Sequence, residues 1–259
     1  MKITVLAENT SCSPQIGCEH GLSLFIETSG LRVLFDMGQT ELFAENAAVL
    51  GVDPASVDVA VLSHGHYDHG GGLRRFLRIN SKAPVYLSRY AFEPHYNGTE
   101  KYIGLDIGLK SSERLVFTDG ETKIAPNMTL YSCNEKSRSY GFDPGTLKTL
   151  VDGQLLPDDF RHEQYLLIEE AQKRVLISGC SHKGILNIAE WFRPDVLVGG
   201  FHFMKLELGD ELAGYARRLN DFPTEYYTCH CTGAAQYEFM EPLTKRLHRI
   251  SAGQTISIL

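Results

Sequence analysis

Apolar and polar positions alternate in short runs through the first third of the chain. Lys2–Glu8, Leu22–Glu27, Arg32–Asp36, Asp58–Leu62 and Pro84–Leu87 read as strands. The second and third are split by Thr28-Ser29-Gly30, a hairpin turn signal. The period then changes to that of a helix over Thr40–Leu50, with Thr40 as cap, Leu42, Phe43, Ala47 and Leu50 on one face, and Gly51 as the stop. A second helix with a basic face fits Leu73–Ile79. Residues 96–160 show little period and seven glycines; Met128–Ser132 is one strand within them. Such a stretch either shapes a substrate pocket or is a surface insertion. Regularity returns with a hairpin of Gln164–Ile168 and Arg174–Ser178. Helices (Ile185–Phe192, Glu211–Leu219, and one starting near Gly233 that Pro242 kinks or splits) then alternate with strands (Val196–Gly200, Glu225–Thr228, Thr255–Leu259). There is no repeat or linker, so one α/β domain over residues 1–259 is expected.

Composition narrows the class. Of 259 residues, 43% are hydrophobic and 22% charged, and 25 Lys+Arg against 32 Asp+Glu give a net charge of −7. This excludes a disordered chain or a coiled coil and makes nucleic acid an unexpected partner. The N-terminus MKITVLAENTS lacks a signal-peptide pattern and no window is apolar enough to span a membrane. A cytoplasmic protein with its six cysteines reduced is expected.

The ten histidines carry the chemistry. Ser63-His64-Gly65-His66-Tyr67-Asp68-His69-Gly70 packs three imidazoles and a carboxylate directly after a buried strand. These donors suit zinc and other first-row divalent ions. On an extended turn His64 and His66 point to one side, while Asp68 and His69, at a helix start, can face a second ion. Paired ions hold a hydroxide between them and clamp both oxygens of a displacement.

This run, His-x-His-x-Asp-His after a strand, resembles the signature of the metallo-β-lactamase superfamily. The wider string SHGHYDHGGGL is similar to the branch of 7,8-dihydropterin-6-methyl-4-(β-D-ribofuranosyl)aminobenzene-5'-phosphate synthase-like proteins, departing from it at Gly70, where threonine is usual. Ala7-Glu8-Asn9, Glu19-His20-Gly21-Leu22-Ser23, Leu34-Phe35-Asp36-Met37-Gly38, Gly179-Cys180-Ser181-His182, Gly199-Gly200-Phe201-His202 and Cys229-His230-Cys231-Thr232-Gly233 extend the likeness over nearly the whole chain.

The resemblance implies a four-layer αββα sandwich, two mixed sheets face to face with helices outside and metals at one sheet edge. It implies two zinc ions, iron and manganese suiting the same donors. His64, His66, Asp68, His69 and His230 are the implied ligands. Cys180 aligns with the bridging position, its alternative being an inert buried thiol. His182 is preferred to His162 as the third nitrogen of the first metal. Asp36 is expected to orient a ligand histidine, or else to form an Asx turn. Cys229 and Cys231 point away from His230 if the strand continues and read as structural, with a Cys-x-Cys metal pair as the sharper alternative. His202, His20 and Asn9 are candidate substrate contacts, each with a plain structural alternative; His95 and His248 read as surface or loop histidines.

The activity so implied is hydrolysis of a small anionic ester or phosphoester, with pterin-precursor chemistry suggested by the branch. Asp68 would hold a metal and orient or accept the proton. His202, or a loop cation such as Lys136 or Arg138, would grip the anion. Two alternatives stay open: an iron-dependent redox enzyme on the same fold, and a non-enzymatic sensor or scaffold. No membrane contact is expected, and a homo-oligomer is compatible with the sequence.

Overall fold

The computed structural model describes residues 1–28 and 30–258. Two seven-stranded sheets lie face to face. The first runs in the order Thr255–Ser257, Lys2–Ala7, Ser23–Glu27, Arg32–Phe35, Val59–Val61, Val85–Ser88, Leu115–Thr118. The second runs Leu247–Arg249, Glu225–Thr228, Val196–Gly199, Lys173–Ile177, Tyr165–Glu170, Met128–Tyr131, Glu121–Ala125. Side chains alternate across a strand, so each sheet buries two apolar sets. The inner set, with Val5, Leu24, Phe35 and Val61 facing Leu130, Leu166, Val175 and Val198, forms the core between the sheets. The outer sets are covered by helices. Phe43 and Ala47 of Leu42–Leu50 and Leu73 and Phe76 of Leu73–Ile79 cover the first sheet. Ile185–Phe192, Asp210–Leu219 and Ala234–Met240 cover the second. The result is the four-layer αββα sandwich.

Both sheets are mixed. Arg32–Phe35, Val59–Val61 and Val85–Ser88 pair in parallel, as do Lys173–Ile177, Val196–Gly199, Glu225–Thr228 and Leu247–Arg249. Parallel strands covered on both faces are near-continuous apolar runs, which is why Val59–Val61 and Val196–Gly199 were readable from sequence, whereas the edge strand Leu247–Arg249, with His248 exposed, was not among the expected strands. Their carboxyl ends open onto one edge of the sandwich. The turns that carry His64, His66, His69, His182, His202 and His230 start there.

Residues 96–160 are more ordered than their pattern suggests. Leu115–Thr118 completes the edge of the first sheet, and Glu121–Ala125 and Met128–Tyr131 that of the second. Gln154–Pro157, Leu147–Val151, His95–Asn97 and Lys101–Tyr102 make a separate four-stranded sheet. These strands are short and largely half-exposed, so burial imposes little alternation on them.

Elsewhere the expected elements shift by one or two residues. The helix expected from Thr40 starts at Leu42, with Thr40 Oγ1 accepting the Leu42 N–H (3.2 Å). The last helix ends at Met240, and Pro242 belongs to the tight turn Glu241–Leu243 that follows. Ser29 of the expected hairpin turn and Leu259 of the expected final strand lie outside the described residues. Among the described residues no helix is long and apolar enough to cross a membrane, and all six cysteines are free.

Candidate metal centre

Five parallel strands end in five turns that converge. Asp36 follows Arg32–Phe35, His64 to His69 follow Val59–Val61, Cys180 to His182 follow Lys173–Ile177, His202 follows Val196–Gly199, and His230 follows Glu225–Thr228. Four of these residues, Asp36, Ser181, His202 and His230, adopt left-handed backbone (φ 58°, 58°, 58° and 51°), which turns each chain sharply inward. The turns also approach closely: a Cβ at Gly179 would collide with Ser63 Oγ, and one at Gly65 with the carbonyl oxygen of Ala91.

The donors fall into two adjacent sets. Donor atoms of His64, His66 and His182 lie within 4.8 Å of one another, as do those of His20, Asp68 and His230, while Cys180 joins His64 and His69 between them. In the first set His64 Nε2 is 3.3 Å from His182 Nε2. In the second, His69 Nε2 is 3.2 Å from His230 Nε2 and 3.1 Å from Cys180 Sγ. Asp68 Oδ2 lies 3.4 Å from His230 Nε2 and 3.2 Å from His20 Nε2.

Hydrogen bonds fix which ring nitrogens carry lone pairs. Asp36 Oδ2 accepts from His69 Nδ1 (2.7 Å), so His69 Nε2 is free of the structural proton. The same carboxylate accepts the Ser63 hydroxyl (2.7 Å), which in turn accepts from His64 Nδ1 (2.8 Å), leaving His64 Nε2 the lone pair. Asn9 Oδ1 accepts the Gly21 N–H (3.3 Å) and is thereby identified as the oxygen; it also accepts from His230 Nδ1 (2.8 Å). His69 and His230 thus aim lone pairs at each other, beside a thiol and a carboxylate. Without a cation that arrangement repels, and a divalent ion fits it. In the first set His66 Nε2 and His182 Nδ1 are buried ring nitrogens with no hydrogen-bond partner.

Charge separates the sets. Burial, then the neighbouring imidazoles, hold His64, His66 and His182 well below the usual histidine range. Burial pulls His69 down too, but Asp36 and then Asp68 outweigh it and hold the ring up at about 9. The carboxylates beside His69 thus favour a positive charge on that ring. Burial would push Asp68 up, yet the charge on His69, and then the neighbouring His20 and His230 rings, keep its carboxyl well below the usual range.

His182 is the histidine placed opposite His64. His162 is buried behind them, its Nδ1 accepting the Gly65 N–H (2.9 Å) and its Nε2 facing Asp158 (3.3 Å). His202 lines the cavity beside His182 (ring centroids 4.3 Å), with a buried, unpartnered Nδ1. His20 is exposed and bonds Asp68. Asn9 bonds His230 and lies 3.3 Å from His20 Nδ1, so it holds protein groups in place rather than facing the cavity.

Three expectations are corrected. His95 is no surface histidine: it is 0% exposed and bonds Asp158 (3.0 Å). His248 is on the surface as expected, paired with Glu225. Cys231 does not point away, because the strand stops at Thr228 and a tight turn swings its Sγ toward Cys180 and His202, where it accepts the His202 N–H (3.3 Å). Lys136 and Arg138 do not line the cavity; Arg138 packs on Phe142. Lys101 and Lys205 do line it, with Asn97, Ile103 and Leu147, around a volume of about 180 Å³.

Other participants escaped the sequence reading. Glu8 accepts the His230 N–H (2.6 Å), and Glu163 accepts the N–H groups of His182 (2.7 Å) and Lys183 (3.1 Å), so each carboxylate pins a donor-bearing turn. Both acidic residues are distant in sequence from the turns they hold.

Comparison with known proteins agrees with this geometry. The crystal structure of Tm1679, a metal-dependent hydrolase of the beta-lactamase superfamily, aligns with a TM-score of 0.85 and 32% identity, covering 100% of this chain and 99% of that one. A Methanocaldococcus jannaschii protein named 7,8-dihydropterin-6-methyl-4-(beta-D-ribofuranosyl)-aminobenzene-5'-phosphate synthase is 29% identical, over 99% of this chain and 96% of its own. An uncharacterized protein of the same organism is also 29% identical, over 89% and 90%. The family model described as the metallo-beta-lactamase superfamily matches residues 16–181. With the donors gathered at the sheet edge and that likeness running through the chain, this protein belongs to the metallo-beta-lactamase superfamily.

Proposed function

We propose that this chain is a hydrolase that holds two zinc ions, one in each donor set, and cleaves an ester or phosphoester bond in a small anionic metabolite. The observation that carries the reading is the set of lone pairs on His64, His69 and His230, each fixed by a hydrogen bond behind the ring and aimed at another donor. The separations support zinc. Tetrahedral ligands about 2.0–2.1 Å from an ion lie about 3.3 Å from one another, and the facing imidazole nitrogens are 3.2 and 3.3 Å apart. Imidazole, carboxylate and thiol are also the donors zinc takes.

When bound, such ions supply Lewis acidity, lowering the pKa of water toward about 7 and offsetting charge on the attacked oxygen. The chain supplies the rest. Lys101 and Lys205 draw an anion to the cavity. His202, with its free Nδ1 beside His182, holds or protonates an oxygen of the substrate. Asp68 accepts a proton, and exposed His20, 3.2 Å away, passes it to solvent.

The test is metal analysis of the purified protein, then a hydrolysis screen over phosphodiesters, phosphomonoesters, lactones and thioesters, with a phosphorylated pterin precursor included. Two zinc ions per chain and hydrolysis of one anionic class, lost on chelation and restored by zinc, are expected. Turnover that survives complete chelation, or that requires iron and consumes oxygen, overturns the proposal.

A further inference from the structure

Cys180 and Cys231 belong to turns that follow strands which are not neighbours. Lys173–Ile177 and Glu225–Thr228 are separated in their sheet by Val196–Gly199, and alternate strands lie about 9–10 Å apart. The two sulfurs nevertheless meet: Cys180 Sγ, Cys231 Sγ and a ring nitrogen of His202 all lie within 4.8 Å of one another. Glycine permits the crossing. The middle strand runs on into Gly200, where a Cβ would stand 2.4 Å from Cys231 Sγ. Left-handed backbone at Ser181 and His230 (φ 58° and 51°) turns both chains inward beside the cysteines. Cys231 Sγ comes to rest against the other turn, 3.5 Å from the carbonyl oxygen of Cys180.

The remaining cysteines are placed differently. Cys229 packs in the core between the sheets, Cys133 packs in the apolar layer under the helices of the second sheet, and Cys12 and Cys18 are exposed. Of the six, Cys180 and Cys231 are the two that line the cavity. Both are free thiols and both are buried (3% and 5% exposed), so a reagent reaches them through that cavity. Its volume of about 180 Å³ admits a molecule little larger than water. A disulfide sets its sulfurs about 2.05 Å apart, and rotation about the two Cα–Cβ bonds is the motion that closes the gap.

We propose that Cys180 and Cys231 are a redox-modification site, joined into a disulfide by hydrogen peroxide that enters the cavity. One sulfur attacks the peroxide: an S–O bond forms, the O–O bond breaks and water leaves. The second sulfur then attacks that sulfenic acid: the S–S bond forms, the S–O bond breaks and a second water leaves. The two thiols lose two electrons to the peroxide, and their protons depart in the waters. A small thiol reverses the bond by exchange. Cys180 Sγ now sits 3.1 Å from His69 Nε2 and close to His64, and the disulfide draws it toward Cys231. Oxidation thereby takes a donor from the second set. That consequence rests on the zinc reading; the bond itself does not.

The test treats reduced, metal-free protein with hydrogen peroxide, blocks the remaining thiols and maps tryptic peptides without reductant. A disulfide between the peptides of Cys180 and Cys231 is expected, with fragmentation assigning Cys231 rather than Cys229, and with full release by dithiothreitol. Cys180 and Cys231 recovered unlinked, or Cys180 linked to another cysteine, overturns the proposal. Zinc content is the second readout. Oxidised wild-type protein should lose zinc and regain it with dithiothreitol, and this reversible loss should be absent from Cys231→Ser. A loss of equal size in that variant, or a linked wild-type protein that binds zinc as the reduced form does, overturns the effect on the centre. Wild-type protein that binds no zinc yet forms the bond would reject the zinc reading and leave the modification site standing. Should the variant not fold, the wild-type peptide map decides.

Discussion

His64, His66 and His182 are three buried imidazoles with no carboxylate among them, whereas His69 and His230 share their space with Asp68 and have Asp36 behind. The first set is neutral before any ion arrives, and the second already attracts a proton. In the proposed two-ion centre an ion would enter the first set without displacing a proton and the second in competition with one. The two donor sets differ because two carboxylates, Asp36 and Asp68, stand beside His69.

The most severe way to break the comparison is to remove a ligand from each side. His66→Ala with Asp68→Ala is expected to take zinc content below one ion per chain and turnover below detection, measured by elemental analysis and steady-state hydrolysis. Activity that survives both changes sinks the mechanism. Asp36→Ala strikes both sets at once, since this buried carboxylate orients His69 directly and His64 through Ser63. We expect zinc affinity to fall about 10- to 100-fold and stability to fall by about 3–5 kcal/mol, read by metal titration and urea unfolding.

The difference itself is sharpened by pH. Below about 9, binding at the second set releases the His69 proton, so its affinity should rise about tenfold per pH unit between pH 7 and 9. The first set should respond little across the same range. Equal slopes in zinc titrations would remove the distinction. In the metal-free protein the contributions to stability have opposite signs. The lowered rings of the first set bind fewer protons than the unfolded chain, so their contribution is lost as pH falls below about 6.5. The raised ring of His69 binds more, so its contribution is lost as pH rises from about 6.5 toward 9. The smallest effect is at the mouth: Lys101→Ala or Lys205→Ala should raise KM up to about 5-fold with kcat unchanged, as screened charges do.

The same contrast explains what was legible beforehand. His64, His66, Asp68 and His69 stand within six residues after an apolar strand, and their nature as donors needs only local spacing. Val59–Val61, Val196–Gly199 and Ile185–Phe192 were readable because burial on both faces or on one helical face writes a strong pattern. His95 and Asp158 carry no such mark. Their meaning arises only when two strands of a small, half-exposed sheet bring together residues 63 positions apart. Cys231 was misread because a strand's alternation was extended past Thr228, where the backbone turns.

The left-handed backbone at Ser181, His202 and His230 has a consequence for how the protein can change. Glycine is the residue that relieves such a conformation, and it brings no side-chain donor. His202→Gly should stabilise the metal-free protein by up to about 1 kcal/mol while weakening substrate handling, seen as a higher Tm with lower kcat/KM. Selection for heat tolerance alone would therefore favour chains that have surrendered their chemistry, and retention of these histidines in a thermostable variant would have to be selected separately.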